Sequence, residues 1–242
     1  MEEANALVAQ IETEQPAGQL AQPELRYRAD IKQTRFGELF EGIYLRRTIL
    51  SFTQWFTSYF LTYGFSTWLP TLYVNLGHLP AERGLLLSLI SSAIGLVVAY
   101  INAGIVDHVG RKPIFVAGFV LATVGALTGY TFVNFLGATG WPILFAGGTM
   151  MSVGMASSNL GVYVYTPELY PTRMRAWATA ASSSMNRVAS FIAPTLVGAL
   201  LAAKLGIQSV FLMFFFVSLA GLVVMAVLGI ETKQRVLEEL SA

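Results

Sequence analysis

The sequence has no cysteine, two histidines and only 12% charged residues. Without cysteine there is no disulfide framework, no thiolate metal site and no thiol nucleophile. His78 and His108 fall in polar joints between apolar runs, and neither has a second histidine or an acid at metal-ligand spacing, so no metal or other cofactor is expected. Soluble domains carry roughly a quarter charged residues, about twice the fraction found here. Basic and acidic residues number 15 and 14, and a net charge of +1 gives no reason to expect a nucleic acid partner. What the chain has in quantity is apolar: 55% of its residues are hydrophobic and the mean hydropathy is +0.60. Such a chain is counted in membrane spans of about 20 residues.

The few charges are unevenly spread. Residues 1–47 hold six of the 15 basic residues and eight of the 14 acidic ones, and read as a polar cytoplasmic segment. Its Met-Glu-Glu start, with no apolar run before about Thr48, does not resemble a secretory signal peptide. Within it, 15–23 (QPAGQLAQP) has linker composition. Phe36, Leu39, Phe40, Ile43 and Tyr44 recur at helical spacing among Arg35, Glu38, Glu41, Arg46 and Arg47, which predicts an amphipathic surface helix over about 35–47. Six apolar helices are expected over 48–230, at about 49–69, 84–106, 113–133, 141–165, 176–203 and 207–230, followed by a polar tail at 231–242. The fold class is therefore an all-α polytopic membrane protein embedded in the lipid bilayer. An even number of spans puts both ends on one side. Twelve bases precede the first helix or lie in the second joint, the fourth joint and the tail, whereas the opposite joints hold only Arg83 and Lys204. The positive-inside rule then places both termini in the cytoplasm of a cell-membrane protein, with Trp68 and Trp141 near the outer interface.

The helices differ in polarity. The third and sixth carry almost no polar groups and are expected to face lipid. The first has Gln54, Thr57, Ser58 and Thr62, the fourth Ser152, Asn159, Tyr163 and Thr166, and the fifth Thr179, Ser183, Asn186 and Ser190, all at spacings that keep them on one helical face. Such groups can glue helices together. Three stripes on three helices point instead to a shared aqueous cavity. Glycines at 118, 125 and 129, with Ala122, are explained by close helix packing. Phe52, Trp55, Tyr59 and Tyr63 share another face of the first helix, which suits helix or lipid packing better than a pocket. Arg187 lies 12 residues beyond Arg175, about 18 Å deeper at 1.5 Å per residue, near the middle of a core of roughly 30 Å. An arginine there must face water or an anion. The expected site for a small-molecule substrate is Gln54, Ser58, Asn159, Tyr163, Ser183, Asn186 and Arg187, with Arg187 on a carboxylate of the substrate or of a partner helix. Pro194 leaves the carbonyl of Ser190 without its helical donor and marks a flex point.

Motifs sit in the basic joints. The second reads Asp107-His-Val-Gly110-Arg111-Lys112, in which Asp107 is suited to another helix's positive N-terminus and Arg111 to a carboxylate. The fourth holds Glu168, Tyr170, Arg173 and Arg175, and the tail begins Glu231-Thr232-Lys233. DHVGRK resembles the D-x-x-G-R-K loop of the major facilitator superfamily, Glu168 to Arg175 its E-x6-R motif, PELYPTRMR the form in bacterial metabolite and aromatic-acid symporters, and ETKQRVLEEL the sugar-porter tail. EEANALVAQIE is similar to the helical loop after the sixth helix of those transporters. The whole chain thus resembles the C-terminal six-helix half of a major facilitator superfamily transporter. The resemblance implies a gate built from Asp107, Gly110, Arg111, Lys112, Glu168, Arg173, Arg175 and Glu231, alternating access, and a partner in the form of an N-terminal half or a second copy. A single Gln54 stands where sugar-transporting members have paired glutamines, so an organic acid is expected over a hexose.

Other classes fit less well. An intramembrane serine protease needs a serine and a base within the membrane, but there is no G-x-S-x-G and both histidines lie outside the helices, so no enzyme is expected. A cation channel would show an arginine ladder or a carbonyl filter. The rival is a non-transporting membrane half acting as scaffold or regulatory partner. The six helices carry no carboxylate away from their ends, so in a proton-driven transporter the coupling acid belongs to the other half.

Overall fold

The computed structural model describes residues 35–136 and 141–233. The linker at 15–23, the rest of the polar segment before Arg35 and the tail beyond Lys233 lie outside the described residues. Six α-helices run as α1 (Gly42–Gly77), α2 (Ala81–Val109), α3 (Arg111–Thr131), α4 (Trp141–Glu168), α5 (Thr172–Ala202) and α6 (Ile207–Leu228). All six predicted helices are present, most extended past their apolar runs. At 36 residues α1 is about 54 Å long, well beyond the ~30 Å hydrocarbon core. α2, α3, α5 and α6 are long and apolar enough to cross a membrane, with mean hydropathies of 2.2, 1.7, 1.4 and 2.8 over 18 residues. α1 and α4 fall short of that measure because they carry the amides and hydroxyls.

The breaks follow backbone chemistry. α1 stops at His78 in the left-handed region, with Pro80 just before the next helix. Gly110, at φ 106°, separates α2 from α3. Pro171 precedes α5, and Lys204 and Gly206, both at positive φ, turn the chain into α6. The surface helix expected over about 35–47 does not form as one unit. Phe36–Phe40 is a short 3-10 helix, Glu41 is extended, and residues from Gly42 onward belong to α1. Gly42 at φ 50° breaks the continuity that side-chain spacing alone suggested.

α1 is the hub, packed on α2, α4, α5 and α6, while α3 packs on α4 and α6. The idea that the third and sixth helices are the lipid-facing ones needs correction. Half of the apolar window of α3 is buried in the protein, against 17% for α2 and 22% for α5. Hydropathy cannot separate a helix buried in protein from one bathed in lipid. Small residues decide here: Gly118, Gly125 and Gly129 put α3 against the backbone of α4 and the ring of Phe211. On α5 the buried stripe is Met174, Ala178, Ser182, Asn186, Ala189, Ala193 and Val197, at steps of three and four. α2 buries only Gly84, Ser91 and Gly95, and leaves Leu85, Leu89, Leu96, Val97 and Tyr100 exposed.

Candidate functional site

Two polar assemblies stand out, one at the rim that carries the motif loops and one within the helices. At the rim, Arg111 opens α3 and Glu168 closes α4. The guanidinium meets the carboxylate through Nη2 at 2.8 Å and Nε at 3.1 and 3.2 Å, and Thr232 donates its hydroxyl to the same carboxylate. A carboxylate at a helix C-terminus opposes the helix dipole, and the fork of Arg111 offsets this. Asp107, 74% exposed, lies 2.8 Å from the other guanidinium nitrogen.

The role foreseen for Asp107 at a helix N-terminus belongs to Glu231. Its carboxylate accepts the backbone N–H groups of Arg111 at 2.9 Å, Lys112 at 3.0 Å and Lys233 at 2.9 Å, and so caps α3. A side chain on Gly110 would place its Cβ 2.6 Å from this carboxylate, so the glycine is required by both its φ and its neighbour. The bases close the opposite helix ends. Lys112 donates to the carbonyls of Ala226 and Gly229 at 2.9 and 3.0 Å, Arg46 to Val227 at 3.0 Å, and Lys233 to His108 at the end of α2. The tail thus fastens α2, α3, α4 and α6 together.

Burial pushes the Glu231 carboxyl up, but the N–H groups of Arg111, Lys233, Lys112 and Thr232 outweigh it and hold the group below its ordinary value near 4.5. A carboxyl held low in the folded chain adds stability that is complete above its ordinary value and is lost as pH falls through the folded one. Acidification from pH 6 to pH 3 should therefore lower the melting temperature of the native chain more than that of Glu231→Gln, measured by intrinsic fluorescence in detergent.

The remaining gate residues separate. Arg173 pairs with Glu38 at 2.6 Å. Arg175 faces an open concavity with Thr179 and Ser183, and its Nε and Nη2 are buried without a hydrogen bond to the described residues. Between α1 and α5, Tyr170 joins Thr48 at 3.0 Å and Ser51 at 3.2 Å, and Ser51 meets Ser182 at 2.9 Å. That hydroxyl cluster was not foreseen, since nothing in its sequence spacing brings 48, 51, 170 and 182 together.

Within the helices, α1, α2 and α4 line an open cavity of about 440 Å³, with Tyr59, Thr62 and Ser66 from α1, Ser92 and Gly95 from α2, and Ser152, Asn159 and Tyr163 from α4 among its walls. Of the expected substrate residues, Asn159 and Tyr163 meet here. Gln54 is buried and donates to the Gly221 carbonyl of α6 at 3.1 Å, and Ser58 is fully buried. Asn186 lies in the packed stripe of α5, whereas Ser183 and Ser190 bond to their own backbone, at Ala180 and Arg187. Arg187 is exposed, has no hydrogen bond or ion pair to the described residues, and is not among the residues that line this cavity. Aromatic rings wall this region. Trp55 stacks on Tyr59 at 5.6 Å and meets Tyr163 edge-on at 4.8 Å, and Tyr59 donates to the Tyr163 hydroxyl at 2.9 Å. Of the aromatic face read as packing, Tyr59 lines the cavity, while Trp55 is buried and donates to Thr166 at 2.8 Å.

The profile of the sugar (and other) transporter family matches residues 1–242. The chain belongs to that family, within the major facilitator superfamily. It is 31% identical to a niacin transporter of Acinetobacter baylyi over 99% of this chain and 53% of that one. An inner membrane metabolite transport protein of Escherichia coli is 31% identical over 85% of this chain and 44% of its own length. A protein of Bacillus subtilis named as a putative niacin/nicotinamide transporter is 30% identical over 81% and 47%. The chain spans about half the length of the curated relatives it matches. As a six-helix half of this transporter family it is an integral membrane protein, and its rim network and cavity are the features that need a functional account.

Proposed function

We propose that this chain is the C-terminal half of a secondary active transporter of the cell membrane, with both termini in the cytoplasm, moving a small organic acid with protons by alternating access. The observation that carries the reading is Arg187, an exposed cation at the middle of α5 with no hydrogen bond or ion pair to the described residues, in a bundle whose α1, α2 and α4 enclose a cavity walled by Tyr59, Asn159 and Tyr163. A guanidinium at that depth is stable only with water or an anion, and a substrate carboxylate supplies one. The rings of Tyr59 and Tyr163 in the cavity wall suit a planar acid, and two of the relatives are named for niacin, a pyridine carboxylate. The exposed apolar faces of α2 and α5 are where a second half would sit. The rim network, held together by charge pairs and caps, is the part that would close and open between states. The carboxylates Asp107, Glu168 and Glu231 all lie at this rim, so the second half would supply the coupling acid.

Uptake of radiolabelled nicotinate into proteoliposomes under an imposed proton gradient tests the reading. Arg187→Gln should weaken apparent affinity roughly 10- to 100-fold, the loss expected for a charged hydrogen bond, and Arg187→Lys should recover part of it. Unchanged uptake and affinity in both variants would remove the substrate role of Arg187. Nicotinate binding without uptake, even with a supplied second half, would favour a scaffold or regulatory half.

A further inference from the structure

We infer that the substrate of this site carries a hydrogen-bond acceptor with no hydrogen of its own, the lone pair of a ring nitrogen, and that Tyr163 is the residue that reads it. This rests on the cavity being the substrate site. Tyr163 lines the cavity and is 56% exposed, so it is open to a solute there. Tyr59 donates its hydroxyl hydrogen to the Tyr163 oxygen at 2.9 Å. That bond occupies the oxygen and leaves the Tyr163 hydrogen for another acceptor, which no described residue supplies. Two other hydroxyls of the wall are spent differently. Thr62 and Ser92 give their hydrogens to the carbonyls of Ser58 and Ser88, one turn back on their own helices, at 2.8 and 2.9 Å. Tyr163 is thus fixed as a donor, and its support is rigid. Tyr59 stacks on Trp55 at 5.6 Å, Trp55 is buried and donates to Thr166 at 2.8 Å, and the same indole meets the Tyr163 ring edge-on at 4.8 Å.

A donor held in place before the solute arrives loses little freedom when it binds. Water can accept from Tyr163 when no solute is bound, and a solute that displaces this water must replace its hydrogen bond or lose affinity. Nicotinate and benzoate have the same charge and nearly the same shape. They differ at one ring atom, a nitrogen with a lone pair in the first and a C–H group in the second. Benzoate answers the rings of the wall but leaves the Tyr163 hydrogen unmet, whereas the pyridine nitrogen accepts it. Tyr59 is a positioning residue here: it acts through the hydroxyl that it orients, and by donating to that hydroxyl it makes it a stronger donor.

The donor and its support all belong to this chain, so the test is equilibrium binding to the full chain in nanodiscs by calorimetry, with nicotinate and benzoate at neutral pH, where the pyridine nitrogen keeps its lone pair. The native chain should bind nicotinate about tenfold more tightly than benzoate, the worth of one neutral hydrogen bond. Tyr163→Phe keeps the ring and should bring the two affinities together by weakening nicotinate alone. In Tyr59→Phe the preference should fall to about threefold with benzoate affinity unchanged, whereas a merely structural role would weaken both acids alike. Ser66→Trp fills the cavity from an exposed position of α1 and should abolish binding of both. Equal affinities for the two acids in the native chain, with both lost in Ser66→Trp, would overturn the acceptor requirement and leave the site in place. A preference that persists in Tyr163→Phe would overturn the assignment to Tyr163. Failure of both acids to bind the native chain, or binding that survives Ser66→Trp, would overturn the site and the inference with it.

Discussion

Gly125→Leu is expected to lower the melting temperature by about 5–10 °C and to reduce the yield of monodisperse protein in detergent. At this point α3 and α4 touch backbone to backbone. A Cβ on Gly125 would lie 2.6 Å from the Gly147 carbonyl oxygen and 2.8 Å from the Met151 side chain, and one on Gly147 would lie 3.0 Å from the Gly125 carbonyl. Gly118 and Gly154 repeat the arrangement further along the same pair of helices. Flexible side chains could move aside, but carbonyl oxygens fixed in helices cannot. The only relief is to separate α3 from α4, which also pulls Phe119 away from Gly221 of α6. The control is Gly104→Ala. Nothing lies within 4 Å of a Cβ there, so alanine should be neutral or stabilise α2 by up to about 1 kcal/mol. Similar melting curves for the two variants would show that the α3–α4 seam does not need its glycines.

The second large effect belongs to the Arg111–Glu168 pair. Its side chains keep 12% and 23% of their exposure; removing Arg111 leaves the Glu168 carboxylate partly buried with no cation among the described residues, and removing Glu168 leaves the guanidinium with only the exposed Asp107. A fully buried pair broken in this way costs about 3–5 kcal/mol; with partial solvation, Arg111→Gln or Glu168→Gln should cost about 2–3 kcal/mol. Asp107→Asn should cost under about 1 kcal/mol, because Asp107 is 74% exposed and water competes for its pairing. In a double-mutant cycle the Arg111→Gln and Glu168→Gln losses should be far from additive, since each removes the same contact. Additive losses would mean that the two residues act separately. The same cycle with Thr232→Val should also couple to Glu168, whose carboxylate Thr232 touches.

Much of the fold could be read without coordinates. Six apolar runs, separated by joints with Gly110, Pro171 and Gly206, mark helices and their ends, because burial of backbone polar groups in lipid leaves few alternatives to the helix. The distribution of bases likewise marks one rim as different from the other. The Arg111–carboxylate contact was also legible, since a fork of donors beside a glycine turn needs an acceptor. Which carboxylate does what was not. Glu231 rather than Asp107 caps α3, although 120 residues separate it from Arg111, and only the meeting of chain tail and loop makes that possible. Arg173 and Arg175, two residues apart, part company because one reaches Glu38 and the other does not.

The candidate site divides in the same way. Asn159 and Tyr163 were marked by their shared face on α4 and do line the cavity. Gln54, equally polar and equally well placed on the first helix, turns to a carbonyl of α6 instead. Helical periodicity assigns residues to a face, but it does not say which neighbour that face meets. Sequence alone determined the membrane setting, the helix count and the motif loops, all of which follow from local composition and spacing. Only the tertiary structure decided that α3 is buried, that the tail ties four helices together and that the Asn159 amide donates to Thr62 of α1. Each of these depends on contacts between residues far apart in the chain, and local propensity carries no information about them.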